Sequence, residues 1–77
     1  MARMTINELN RSREIVNLGS DILDEEIFEE MTERRMYAIQ KRIAKLRDES
    51  GFYTEEASDI LDELEEKGFF SFWQWNS

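Results

Sequence analysis

The sequence predicts one all-α domain, residues 1–77, in which a three-helix bundle is built on one long central helix. Two observations predict helices joined by short turns: proline is absent, and only three of the 77 residues are glycine. A third is the stretch from Ser20 to Arg47, which contains neither residue and is rich in helix-favouring side chains. A single domain of this size is near the limit at which one core suffices, so we also expect a dimer.

A first helix is predicted over about residues 6–18. Thr5 and Glu8 have the spacing of a capping box, in which the two side chains satisfy backbone N–H groups at the start of a helix. Gly19 suits the left-handed conformation that ends a helix, so we expect a tight turn there. The predicted apolar face is Ile6, Leu9 and Val16.

The central helix is predicted over about residues 21–49 and would be about 40 Å long. All seven charged residues from Asp21 to Glu33 are acidic, and all six from Arg34 to Arg47 are basic. This order matches the helix macrodipole. The apolar arc exceeds about 100°, so the helix should contact more than one neighbour. Its members are Leu23, Ile27, Phe28, Met31, Met36, Ala38, Ile39, Ile43 and Leu46.

Two arginines, Arg35 and Arg42, lie in the middle of this apolar arc. They could lay their stems on the core with their heads in water. They could also meet carboxylates of the third helix or of a second subunit, and a ligand-binding role is a remaining alternative. The residues predicted to take part in assembly are Phe28, Met31, Arg35, Ile39 and Arg42.

A third helix is predicted over about residues 55–67, with Gly51 ending the central helix and Thr54 capping the new one. Its apolar stripe is narrow and consists of Ala57, Ile60, Leu61 and Leu64. The remaining surface is almost wholly acidic.

The C-terminal tail, residues 69–77, concentrates five aromatic side chains. It could fold back and complete the core, or it could remain exposed as an anchor for a partner. Membrane insertion is disfavoured because no basic residue follows Lys67. The candidate partner-binding aromatics are Phe69, Phe70, Phe72, Trp73 and Trp75.

The formal net charge is −8, which disfavours nucleic acids and anionic lipids and favours a basic protein partner. We expect the third helix to turn back and lay its acids beside the basic half of the central helix. The acidic half then lacks a basic neighbour, so we predict an antiparallel homodimer or a basic partner. The candidate acidic residues are Asp21, Asp24, Glu25, Glu26, Glu29, Glu30, Glu33, Glu55, Glu56, Asp59, Asp62, Glu63 and Glu66.

Catalysis and metal binding are disfavoured because histidine and cysteine are both absent. We therefore predict no enzyme activity, cofactor or metal. The segment from Thr54 to Phe70 resembles the helix-then-strand end of winged-helix regulators, but its helix presents acids on every exposed side. We predict no direct binding to nucleic acid. No secretory signal or membrane-spanning run is visible, so a cytoplasmic location is expected.

The leading hypothesis for function is a small acidic helical module that acts as a regulator, inhibitor or adaptor through protein–protein contacts. The alternative is a nucleic-acid mimic of the kind that phages and mobile elements encode, whose carboxylates occupy the groove of a DNA- or RNA-binding protein. A third hypothesis is a structural subunit of a larger assembly.

Overall fold

The computed structural model describes residues 3–49 and 51–70, and these form four packed α-helices. They are α1 (Ile6–Leu23), α2 (Glu25–Glu30), α3 (Glu33–Asp48) and α4 (Glu55–Glu66). No strand occurs among the described residues. The predicted all-helical class is therefore confirmed, whereas the predicted division into three helices is wrong.

Helix α1 begins as predicted but runs past the glycine that was expected to end it. The Glu8 backbone N–H donates to Thr5 Oγ1 (3.1 Å), and the Thr5 N–H donates to Glu8 Oε1 (2.7 Å), which completes the capping box. The helix continues through Gly19 to Leu23. Gly19 is buried at a close approach to α4, where a Cβ atom would lie 2.2 Å from Ile60 Cγ2. It serves helix packing and does not end the helix.

The predicted central helix is divided at two polar residues. Asp24 has an extended backbone, and its carboxylate accepts from the N–H groups of Glu26 (3.0 Å) and Ile27 (3.2 Å). Thr32 then caps α3 by accepting from Arg35 N–H (3.2 Å). Short polar side chains of this kind offer the backbone an alternative to continued helix. Because the stretch is divided, α2 and α3 can turn different faces toward their neighbours. This explains why the apolar residues cover so wide an arc when the stretch is treated as one helix.

Helix α4 agrees closely with the prediction. Thr54 caps it by accepting from Ala57 N–H (3.2 Å), and Gly68 follows its C-cap with φ +77°, in the left-handed region. Phe69 and Phe70 have helical backbone, so the strand implied by the winged-helix resemblance is absent there.

Helix α1, and not the stretch from Ser20 to Arg47, is the element around which the chain is organised. It packs closely against each of the other three helices, which approach one another far less. Its buried face runs through Glu8, Ser12, Ile15, Gly19 and Ile22. The predicted face was wrong for Ile6 and Leu9, which are 76% and 43% exposed, whereas Val16 is partly buried against the core. The remaining core residues are Ile39, Ile43, Leu46, Ala57, Leu61, Leu64, Phe69 and Phe70.

Candidate partner-binding groove

An open apolar groove lies where the C-terminal part of α1, helix α2, the start of α3 and the end of α4 converge. Its volume is about 510 Å³. A cavity of this size can accept one or two apolar side chains of a partner. Its lining residues are Ile22, Leu23, Glu25, Phe28, Glu29, Met36, Leu64, Lys67, Gly68 and Phe69.

Helix α2 forms one side of the groove and is the least anchored helix of the fold. None of its residues is buried, and Ile27 and Phe28 are each 40% exposed. Phe28 faces the groove, whereas its neighbour Ile27 does not line it. The α2 helix therefore presents an aromatic ring that the described residues cover only in part.

The rim that α2 contributes is acidic. Glu25 and Glu29 are one helical turn apart, which places both carboxylates on the groove side. In the part of the chain that the structure describes, no ion pair neutralises any glutamate of α2. Lys67, at the end of α4, is the cation that lines the groove. The groove thus combines an apolar floor with an acidic edge that forms no ion pair within the described residues.

The predicted aromatic site is placed only in part. Phe69 and Phe70 are buried, with rings 5.4 Å apart in an edge-to-face arrangement. The Arg47 guanidinium lies 4.2 Å from the centre of the Phe70 ring. These two rings complete the core and are not exposed anchors, although Phe69 also lines the groove. Phe72, Trp73 and Trp75 lie outside the described residues.

The predicted acidic site is divided over separate surfaces. Asp21 is half-buried on α1, whereas the acids of α2, α4 and the first turn of α3 are exposed. The expected alignment of the third helix beside the basic half does not produce ion pairs. The three ion pairs shown by the described residues have Glu14, Asp48 and Glu49 as their carboxylates, and none involves α4.

The predicted assembly residues also separate. Ile39 is buried in the core and Met31 is partly buried against it, whereas Arg35 is exposed. Arg42 does not meet the third helix. It forms a two-pronged contact with Glu14 of α1, with Nε–Oε2 and Nη2–Oε1 distances of 2.5 and 2.9 Å. This hydrogen-bonded contact lowers the pKa of Glu14 and raises the pKa of Arg42.

A polar junction that the sequence reading missed fixes the loop between α3 and α4. The Phe52 N–H donates to Glu8 Oε2 (2.7 Å), and the Thr54 N–H donates to Ser12 Oγ (3.0 Å). Backbone N–H groups of Thr5 and then Phe52 hold the pKa of Glu8 below its ordinary value. The capping box revealed the contact of Glu8 with Thr5 but not its contact with Phe52.

The Tyr53 side chain closes this junction from the α3 side. Its hydroxyl lies within hydrogen-bonding distance of backbone carbonyls at the end of α3, including Leu46 O (3.0 Å) and Arg47 O, and donates its one proton among them. Burial raises the pKa of this tyrosine. The hydrogen bond satisfies a carbonyl of the kind that helix ends leave without a partner. The junction thereby sets the direction in which α4 leaves α3.

Within residues 3–49 and 51–70, no group of three or more acidic side chains is arranged to hold a metal ion. No helix in the same ranges is both long and apolar enough to cross a membrane. Comparison with protein-family models, curated proteins and solved structures gives no significant match.

Proposed function

We propose that this chain is a protein-binding module that regulates or adapts another protein without catalysis, and that the groove beside α2 is its binding site. The observation that carries the proposal is the half-exposed Phe28 over an apolar floor, next to carboxylates that form no ion pair within the described residues. Partly exposed aromatic rings at a pocket are typical of protein-interaction surfaces.

The groove favours a partner segment of defined chemistry. Its apolar floor would bury a leucine or phenylalanine side chain, which supplies most of the binding energy. Glu25 and Glu29 would favour lysine or arginine beside that anchor and would raise the association rate. An amphipathic helix with a basic flank meets both requirements.

Three labelled peptides test this proposal. They share one leucine- and phenylalanine-containing anchor and differ only in flanking residues, which are lysine, glutamine or glutamate. Fluorescence anisotropy should show the lysine peptide binding at least about tenfold more tightly than the glutamate peptide. Amide chemical shifts should change around Leu23, Phe28 and Met36. Equal affinity for all three peptides would contradict the proposed role of Glu25 and Glu29 in binding.

The chain offers matched control variants on a single helix. Phe28→Ala should weaken binding of the lysine peptide, whereas Ile27→Ala should not, although both side chains are 40% exposed. Glu25→Gln with Glu29→Gln should weaken it more than Glu26→Gln with Glu30→Gln, because only the first pair lines the groove. Equal effects of the two variants in either comparison would exclude the groove as the site.

The nucleic-acid mimic is the second candidate, and one observation favours it. The acids of α4 are exposed and form no ion pair within the described residues. Mimicry predicts that a partner's binding is lost when Asp59, Asp62 and Glu66 are neutralised and is retained in Phe28→Ala. Groove binding predicts the opposite pattern.

We also propose that the chain forms a homodimer, with a geometry different from the one expected for a single long helix. The acidic block lies mostly on α2 and the basic block on α3, and Met31 and Thr32 separate these helices. The proposed dimer therefore cannot be formed by two long central helices packed antiparallel. Acidic and basic residues of the two subunits would have to meet through other surfaces.

A further inference from the structure

Helix α3 carries a straight row of cations on the side away from the core. Arg34, Lys41 and Lys45 are all exposed. At about 100° per residue they lie within roughly 40° of one another, and buried Ile43 lies on the opposite side. We call these three residues the basic row.

Within the described residues, no ion pair neutralises the basic row, although the sequence has 18 acidic residues against ten basic ones. The ion pairs of the described residues use Arg11, Arg42 and Arg47. Lys41 lies 5.3 Å from the centre of the Tyr37 ring on its own helix. These exposed cations are therefore available to carboxylates of another molecule.

Helix α4 carries the complementary row. Glu55, Asp59 and Glu66 are exposed, and buried Leu64 lies on the opposite side of the helix. Read in opposite directions, the two rows have the same spacing of four and then seven residues. Each row spans about 16 Å at about 1.5 Å per residue. An antiparallel pairing sets Lys45 against Glu55, Lys41 against Asp59 and Arg34 against Glu66.

Within one molecule these rows do not meet. Helices α3 and α4 both direct their buried faces toward the shared core around α1, so each row points away from that core. We propose that the basic row of α3 binds the acidic row of α4 in a second copy of this chain. A two-fold arrangement would use each row once per subunit and would form the contact twice.

This inference rests on the proposed homodimer and is independent of the groove. The matched spacing selects a second copy over an unrelated acidic protein. Exposed ion pairs each contribute little, and salt screens them. The association should therefore be weak, detectable only at high protein concentration, and sensitive to ionic strength.

The test uses charge-reversal variants of each row. Their self-association is measured by sedimentation equilibrium at about 1 mM protein and about 20 mM salt. Lys41→Glu with Lys45→Glu, and separately Glu55→Lys with Asp59→Lys, should each weaken self-association at least about tenfold. An equimolar mixture of the two variants should associate again. Arg13→Glu and Glu63→Lys reverse exposed charges outside the rows and should leave association unchanged.

A wild-type chain that stays monomeric under these conditions would overturn the proposal. So would reversed variants that associate like the wild type, or a mixture that fails to recover association while both variants keep wild-type helicity by circular dichroism. Binding of the lysine peptide to the groove is measured in parallel. Peptide binding should be unchanged in both row variants. The experiment therefore distinguishes failure of the dimer proposal from failure of the groove proposal.

Discussion

Gly19 of α1 and Ile60 of α4 lie at a close approach of the two helices. A Cβ atom on Gly19 would come within 2.2 Å of Ile60 Cγ2 and 3.5 Å of Leu64 Cδ1. Glycine in a helix interior costs about 1 kcal/mol relative to alanine. The close approach that it permits lets α4 cover the middle of α1.

Gly19→Ala should therefore destabilise the protein despite its better helix propensity. Over-packing a core costs about 1–3 kcal/mol, which exceeds the propensity gain. Urea denaturation monitored by circular dichroism gives the free energy of unfolding. Ile60→Ala removes the clashing Cγ2 atom, so Gly19→Ala should cost less in that background. A stabilising Gly19→Ala would show that the helices do not meet at this residue.

The carboxylate of Glu8 should make stability fall in acid. Its pKa is lowered in the folded state from an ordinary value of 4.5 by hydrogen bonds from Thr5 and Phe52. The stabilisation is present above that value and is lost as the pH falls through the lower folded pKa. Glu8→Gln should lower the melting temperature near neutral pH and should show a shallower further decrease on acidification. Parallel melting curves for the two proteins from neutral pH to acid would contradict this assignment.

Ser12 is buried, and its hydroxyl accepts from the backbone N–H at the start of α4. Ser12→Ala leaves the Thr54 N–H without a partner and should cost about 1–3 kcal/mol of unfolding free energy. Ser20→Ala, at an exposed position of the same helix, is the control and should change stability by less than about 0.5 kcal/mol. Similar costs at both positions would mean that the hydrogen bond does not anchor the loop.

The contact between Arg42 and Glu14 is exposed, with side chains 46% and 37% accessible, so its contribution should be small. A double-mutant cycle with Arg42→Ala and Glu14→Ala should give a coupling of about 0.2–1 kcal/mol. The coupling should decrease in about 1 M salt because the charges are screened. A zero coupling at low salt would show that the two side chains do not interact in solution.

Asp24 separates α1 from α2 by capping the second helix. Asp24→Ala removes both capping hydrogen bonds and should cost about 1 kcal/mol. Because α2 carries Phe28, the same variant should also weaken binding of the lysine peptide to the groove. Asp62→Ala, at an exposed α4 position, should leave peptide binding unchanged. Unaltered binding in Asp24→Ala would show that the groove does not depend on this cap.

Local signals in the sequence were sufficient to predict where several helices begin and which of their residues are buried. The Thr5 and Glu8 capping box gave the start of α1, and Thr54 with the stripe through Leu61 and Leu64 gave α4. These features depend on side chains a few residues apart, so they can be recognised without knowledge of the fold. Buried Ile39, Ile43 and Leu46 were predicted for the same reason.

Other features depend on contacts between distant segments. Gly19 looks the same in the sequence whether it ends a helix or packs against Ile60, which is 41 residues away. The buried face of α1 contains Glu8 and Ser12, and a search for apolar periodicity passes over polar residues whose partners lie in a remote loop. The groove could not be predicted, since its lining comes from four helices.

The sequence by itself determined that this chain is helical and acidic, with its acids and bases in separate blocks. Composition, capping residues and periodicity carry that information locally. The tertiary structure alone decided that α1 is the organising helix and that the caps which Asp24 and Thr32 offer locally are used to divide the 20–47 stretch. Both features arise because packing α3 and α4 on one glycine-containing helix buries apolar surface that a single long helix would leave exposed.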